Sequence, residues 1–186
     1  MIELLSKEGP AKVALIVLHG WGANQHDLVP FVQSLRLKGT QTFFPDGLFD
    51  VPGTGGLGKG WFSFPLNKDS EQERIESREL LISLVKDVCA KGFASKEIVL
   101  LGFSQGAGMC LDIMLHLENS LGAVVALSGF LMEGEDVKRR ENMPIESPIF
   151  AAHGLYDPIL PLHRSKESLH LLKEIGFSLT WREYPI

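Results

Sequence analysis

A strand-like run, Glu97-Ile98-Val99-Leu100-Leu101, enters Gly102-Phe103-Ser104-Gln105-Gly106, and a helix-like stretch, Ala107 to Leu117, leaves it. In that context, strand before and helix after, the Gly-x-Ser-x-Gly pattern sets a serine on a sharp turn at the carboxyl end of a sheet. Backbone strain in the turn holds the hydroxyl clear of the sheet. The strand and helix pass so closely that a Cβ at Gly102 or Gly106 is expected to clash. The pattern alone could arise by chance in a chain with 19 glycines among 186 residues. The flanking elements make chance the weaker explanation. Ser104 is therefore the candidate nucleophile.

The rest of the chain supplies a matching frame. Val13 to Leu18 is a continuous apolar run of strand length, as expected of a strand buried on both faces. It ends in the loop His19-Gly20-Trp21-Gly22, and Asp27 to Leu37 reads as a helix. Thr40 to Phe44 is a short strand closed by the turn Pro45-Asp46-Gly47. Residues 46–69 show no periodicity and form a long loop, a length that tends to mark function in a compact domain. Ser70 to Lys91 reads as a long amphipathic helix with Ile75, Leu81, Leu84, Val85 and Val88 near helical spacing. Ala123 to Leu127 is a buried-type strand ending in Ser128-Gly129. The stretch from Met132 to Ser147, charged and interrupted by Pro144, is expected to run over the surface. Ile149 to Ala152 is a strand, Leu162 to Ile175 a helix and Ser178 to Tyr184 a last strand. Strands alternating with helices predict the α/β class, with a mostly parallel central sheet and helices on both faces.

Size and charge exclude several functions. One hydrophobic core fits 186 residues, and two do not. A net charge of −5 argues against a nucleic-acid partner. The one basic triplet, Lys138-Arg139-Arg140, sits among acids and reads as a solvated loop. Met1 to Pro10 holds no secretory signal, and no apolar run approaches the roughly 18 residues that a bilayer span needs. Cys89 and Cys110 have no Cys or His at metal-ligand spacing, so free thiols and a cytoplasmic location are expected. The chain is expected to act as a monomer or a homodimer.

A serine nucleophile needs a base to take its proton and an acid to orient that base. On a frame of this kind the chain order is Ser, then Asp or Glu, then His. Downstream of Ser104, strand 149–152 runs into His153-Gly154-Leu155-Tyr156-Asp157-Pro158. Asp157 thus sits in a loop at the carboxyl end of a strand, where the acid belongs; the competing reading is an Asx-turn cap. The developing oxyanion needs backbone N–H donors. Gln105, after the nucleophile, is one, and Trp21, in the loop after the first apolar strand, is the other. His19 precedes Ser104 and is read as structural.

The base has no good candidate. Of the six histidines, only His163 and His170 follow Asp157, and both fall in the helix 162–175. His153 stands at a strand end before the acid and reads as a hydrogen-bonded scaffold residue. The base is expected on the loop after the last strand, beyond Ile186.

Gly53-Thr54-Gly55-Gly56-Leu57-Gly58-Lys59-Gly60 imitates a phosphate-binding loop. Gly60 stands where the magnesium-binding Ser or Thr belongs, and neither a strand before nor a helix after supports the motif. A loop beside the active site is the better reading, with Trp61 and Phe62 as candidate walls of a substrate pocket; ordinary core packing is the alternative.

On these residues the chain resembles the phospholipase/carboxylesterase family of α/β-hydrolases, the group that includes acyl-protein thioesterases. Leu18 to Gly22 resembles the family's oxyanion loop, Trp61-Phe62 its Trp-Phe motif and Gly102 to Ala107 its nucleophile elbow. Leu127-Ser128-Gly129, His153-Gly154 and Asp157 also fit. The resemblance spans nearly the whole chain. It implies hydrolysis of small-molecule carboxylic esters or acylated substrates, including thioesters, through an acyl-enzyme on Ser104, with no metal or cofactor. Ser63 departs from the Asp that members often carry after Trp-Phe. The expected domain is a single α/β-hydrolase unit over residues 1–186, lacking the final loop and helix that bear the histidine. A catalytically inactive hydrolase fold serving as a binding module is the rival from another class; a peptidase or lactonase is the rival within it.

Overall fold

Ala14, Ile16 and Leu18 face one side of a central sheet, Leu15 and Val17 face the other, and all five are buried. Burial on both faces is why this strand, β2 (Val13–Leu18), carries no polar alternation. These relations come from a computed structural model that describes residues 1–6, 9–132 and 142–186. The larger core lies under α2 (Ser70–Ala90), α3 (Gln105–His116) and α4 (Leu162–Ile175). The smaller core gathers Leu15, Val17, Phe44 and Leu101 around Val32 of α1 (Val29–Ser34).

Among the described residues seven strands form the sheet. From one edge to the other they are β1 (Ile2–Leu4), β3 (Thr40–Phe44), β2, β6 (Ile98–Phe103), β7 (Ala123–Leu127), β8 (Ile149–Gly154) and β9 (Leu179–Tyr184). Only β1 runs antiparallel to its neighbour; the remaining pairs are parallel. Register brings the carboxyl ends level: Leu18 pairs with Gly102, Phe103 with Leu127, and Leu127 with Ala152. The residues that follow, His19, Ser104, Ser128 and His153, therefore collect along one rim, the rim where open α/β sheets hold their ligands.

Several elements differ from the sequence reading. Strand β1 was not expected; three residues are too few for a periodic signal. Helix α1 covers Val29–Ser34 rather than 27–37, because Asn24 N–H and Asp27 Oδ2 close a turn at 2.6 Å before it. Helix α3 starts at Gln105 rather than Ala107, since the Ser104 carbonyl already accepts the N–H groups of Ala107 and Gly108. Strand β8 runs on to Gly154. The loop 46–69 contains a small hairpin, β4 (Phe49–Asp50) against β5 (Lys59–Gly60). Lys138-Arg139-Arg140 and most of the charged excursion lie outside the described residues.

Helix α2 meets the core along Arg74, Ser77, Arg78, Leu81, Val85 and Val88. The amino-terminal half of this stripe is polar. Arg74 and Arg78 reach the two oxygens of Asp112 on α3 at 2.7 and 2.9 Å, so the buried charges are paired rather than isolated. That clamp fixes α2 to the helix that begins at the Gly-x-Ser-x-Gly turn.

Candidate active site

Ser104 has φ 54° and ψ −118°, a conformation that costs an L-residue free energy and persists only where the surroundings impose it. Its own N–H donates to Leu127 O at 2.9 Å. A Cβ on Gly102 would lie 2.5 Å from Ala107 N, and one on Gly106 would lie 2.5 Å from His19 O. Both glycines are thus required by close backbone approach, as the motif implies.

The loop after β2 packs against this turn. A Cβ on Gly20 would come within 3.4 Å of Ser104 Cβ. Lys59 holds the loop from the other side, accepting from Gly22 N–H at 2.9 Å and donating to Ala23 O at 2.7 Å. Among the described residues the backbone N–H groups of Trp21 and Gln105 donate to no protein acceptor. Gln105 is also the first residue of α3, where unsatisfied N–H groups and the helix dipole favour negative charge. The Trp21 indole is 39% exposed and meets Phe64 edge to face at 5.9 Å.

Asp157 lies at the same rim. Its Oδ1 accepts from Ile159 N–H at 2.9 Å and Leu160 N–H at 3.0 Å, which is an Asx-type cap. Its Oδ2 stands 3.6 Å from His153 Nε2. Partial burial pushes its pKa upward, but the N–H groups of Leu160 and Ile159, His153 and the Ser128 hydroxyl outweigh that push and hold it below the ordinary value. The carboxyl group is therefore an anion at neutral pH, whichever reading of its role is taken. Ser128, which also has a positive φ of 48°, enters the sequence reading only within Leu127-Ser128-Gly129, at a strand end and with no role of its own.

Three histidines weighed in the sequence reading are engaged with other groups. His19 Nδ1–H donates to Gly20 O at 2.8 Å and Nε2 accepts from Gly47 N–H at 3.0 Å, so the ring is a neutral tie between two loops. His153 is buried, with Nε2–H donating to Leu160 O at 2.9 Å and Nδ1 at 2.8 Å from the Ser165 hydroxyl. His170 pairs with Glu174 on the exposed side of α4. Trp61 and Phe62, expected as pocket walls, are 0% and 4% exposed and belong to the larger core. They lie behind the site because Gln105 and α2 bind their backbone, as described below. An apolar cavity of about 340 Å³ opens instead on the opposite face of the sheet, where Leu28, Phe31, Phe103, Leu127, Tyr184 and Ile186 contribute to its lining. Cys89 and Cys110 are free, and burial pushes the Cys110 thiol far up, which makes it inert. Among the described residues no group of three or more His, Cys, Asp or Glu side chains could hold a metal ion, and no helix is long and apolar enough to cross a membrane.

A mostly parallel sheet covered by helices, with a serine turn after β6 and an acid loop after β8, defines the α/β-hydrolase fold. The chain belongs to the phospholipase/carboxylesterase family, whose model matches residues 1–185. It is similar to acyl-protein thioesterase 1 of Debaryomyces hansenii, 31% identical over 99% of this chain and 87% of that protein. Acyl-protein thioesterase 1 of Gibberella zeae is 28% identical over 92% of this chain and 80% of its own length. Among solved structures, esterase PE8 superposes with a TM-score of 0.82 at 27% identity, covering 98% of this chain and 87% of that one. Arabidopsis thaliana SOBER1 has the same fold, with a TM-score of 0.81 at 22% identity over 94% of this chain and 89% of its own.

Proposed function

We propose that this chain is a serine hydrolase of carboxylic esters or thioesters, with Ser104 as nucleophile and Asp157 as the acid of the triad. Ser104 Oγ attacks the acyl carbon as a histidine takes its proton. The N–H groups of Trp21 and Gln105 hold the oxyanion. The intermediate collapses, the histidine returns the proton to the leaving alcohol or thiol, and the acyl group stays on Ser104. Water then attacks with the same base and releases the acid. The strained Ser104 turn beside two unspent N–H groups is the observation that carries the reading.

The base in this reading is a histidine carried by residues that follow Ile186. Leu155 N–H donates to Tyr184 O at 2.8 Å and Tyr156 N–H to Ile186 O at 3.0 Å. The backbone at Ile186 is thereby laid along the loop that holds Asp157. At about 3.3–3.6 Å per extended residue, a few further residues are the length this reading asks of the segment that carries the histidine. Curated relatives named for thioesterase activity support an acylated substrate, and the free thiols Cys89 and Cys110 fit a cytoplasmic setting.

The test is turnover of a short-chain p-nitrophenyl ester and of an acyl thioester. Ser104→Ala should abolish both; activity within a few-fold of the parent would sink the assignment. A chain ending at Ile186 should be slower by roughly 10³-fold or more than one that continues into a histidine, the order of loss when a triad member is missing.

A further inference from the structure

Trp61 touches both sides of the oxyanion site without reaching the reacting atoms. Its indole Nε1–H donates to His19 O at 2.9 Å, on the loop that carries Trp21. Its backbone N–H donates to the Gln105 side-chain Oε1 at 2.8 Å, on the residue that carries the other N–H. The same amide donates from Nε2 to Phe62 O at 2.8 Å. A backbone N–H can only donate and a carbonyl can only accept, so a primary amide in this one orientation satisfies both partners.

The segment that receives these bonds is fixed from behind. Ser77 Oγ–H donates to Trp61 O at 2.5 Å, Ser63 N–H donates to Glu73 Oε2 at 2.5 Å, and Ser70 Oγ–H donates to Ser63 O at 3.0 Å. All three anchoring side chains belong to α2, which Arg74, Arg78 and Asp112 clamp to α3. Trp61 and Ser77 are fully buried, so these bonds form where the dielectric is low and an unmade bond is expensive. The loop after β2, the segment 61–63 and the start of α3 therefore form one hydrogen-bonded frame.

We propose that Trp61 and the side-chain amide of Gln105 are positioning residues that set the separation of the Trp21 and Gln105 N–H groups. They would act on the rate through those donors and not through substrate contact. The inference rests on the reading that these two N–H groups hold the oxyanion. Loss of one such donor lowers kcat by about 10²–10³-fold, and a misplacement near 1 Å can cost about 10²-fold.

Gln105→Glu keeps the shape but sets a carboxylate oxygen against the Phe62 carbonyl, and Gln105→Met removes both bonds. Gln105 is only half-buried, so both variants should fold; Trp61→Phe, which loses the indole donor, is the third. In the full, active chain, kcat per titrated active site should fall about 10–100-fold with KM within about threefold. Affinity for a trifluoromethyl ketone, which mimics the tetrahedral intermediate, should fall in step with kcat. Loss of folded protein alone would leave kcat per titrated site and this affinity unchanged. If both Gln105 variants keep kcat within about threefold, or if KM rises while kcat holds, while Ser104→Ala is dead, the positioning role is overturned. If Ser104→Ala itself turns over, the underlying reading is what fails.

Discussion

Arg74 Nη1 and Asp112 Oδ1 meet at 2.7 Å, both side chains buried, and Arg78 Nε reaches the second oxygen of the same carboxylate at 2.9 Å. One anion on α3 thus serves two cations on α2. Removing its charge takes from two buried guanidinium groups the carboxylate they share, while Arg74 keeps its contact with the exposed Glu71 at 2.6 Å. Asp112→Asn should therefore lower unfolding stability by about 3–5 kcal/mol, the range for breaking a buried pair from one side. Urea unfolding measures it; a loss under about 1 kcal/mol would show that the clamp contributes little.

Ser104 holds a backbone conformation that suits glycine better than serine. Ser104→Gly should abolish turnover yet raise stability by about 1 kcal/mol, because the strain disappears with the side chain. Denaturant unfolding of the variant and parent makes the comparison. A variant less stable than the parent would show that the turn is not strained.

Gly106 admits no side chain, since a Cβ there would press on the carbonyls of Leu18 and His19. Relief requires moving the loop that carries Trp21 away from the elbow. Gly106→Ala should cost about 1–3 kcal/mol of stability, as overpacking does, and should also depress the rate. Unfolding and turnover unchanged together would contradict the packing described.

Burial holds the His19 imidazole below its ordinary pKa of 6.5, against the opposing pull of the Gly20 carbonyl and Asp46. The folded state therefore binds fewer protons at this site than the unfolded chain once pH drops below that value. The stability gained is complete above pH 6.5 and is lost as pH falls through it toward the folded pKa. His19→Asn should flatten the part of the stability profile between neutral and mildly acid pH. A parent and variant with parallel profiles over that window would rule out His19 as the group responsible.

Much of this molecule is written in short patterns. Doubly buried strands such as Val13–Leu18 announce themselves as unbroken apolar runs, and the elbow announces itself through two glycines and its flanking elements. What stays hidden is whatever depends on partners distant in sequence. Aliphatic spacing marks the stripe on α2, yet half of it is Arg74, Ser77 and Arg78; the two arginines bond Asp112 on α3 and Ser77 bonds the Trp61 carbonyl. Trp61 and Phe62 look like pocket walls in a glycine-rich loop. Their burial follows from hydrogen bonds to Gln105, 43 and 44 positions away, which no periodicity reveals. The pairing of Ser128 with Asp157 stays hidden for the same reason, because the register of β7 against β8 sets it.

Peptide mass mapping after exposure to a fluorophosphonate addresses the nucleophile most directly. The reagent bonds covalently to a serine activated for acyl transfer. Ser104 should carry the adduct, and Ser104→Ala should stay unlabelled over the same exposure. Equal labelling of the Ser104→Ala chain, or an adduct on another serine in the parent, would contradict the central claim.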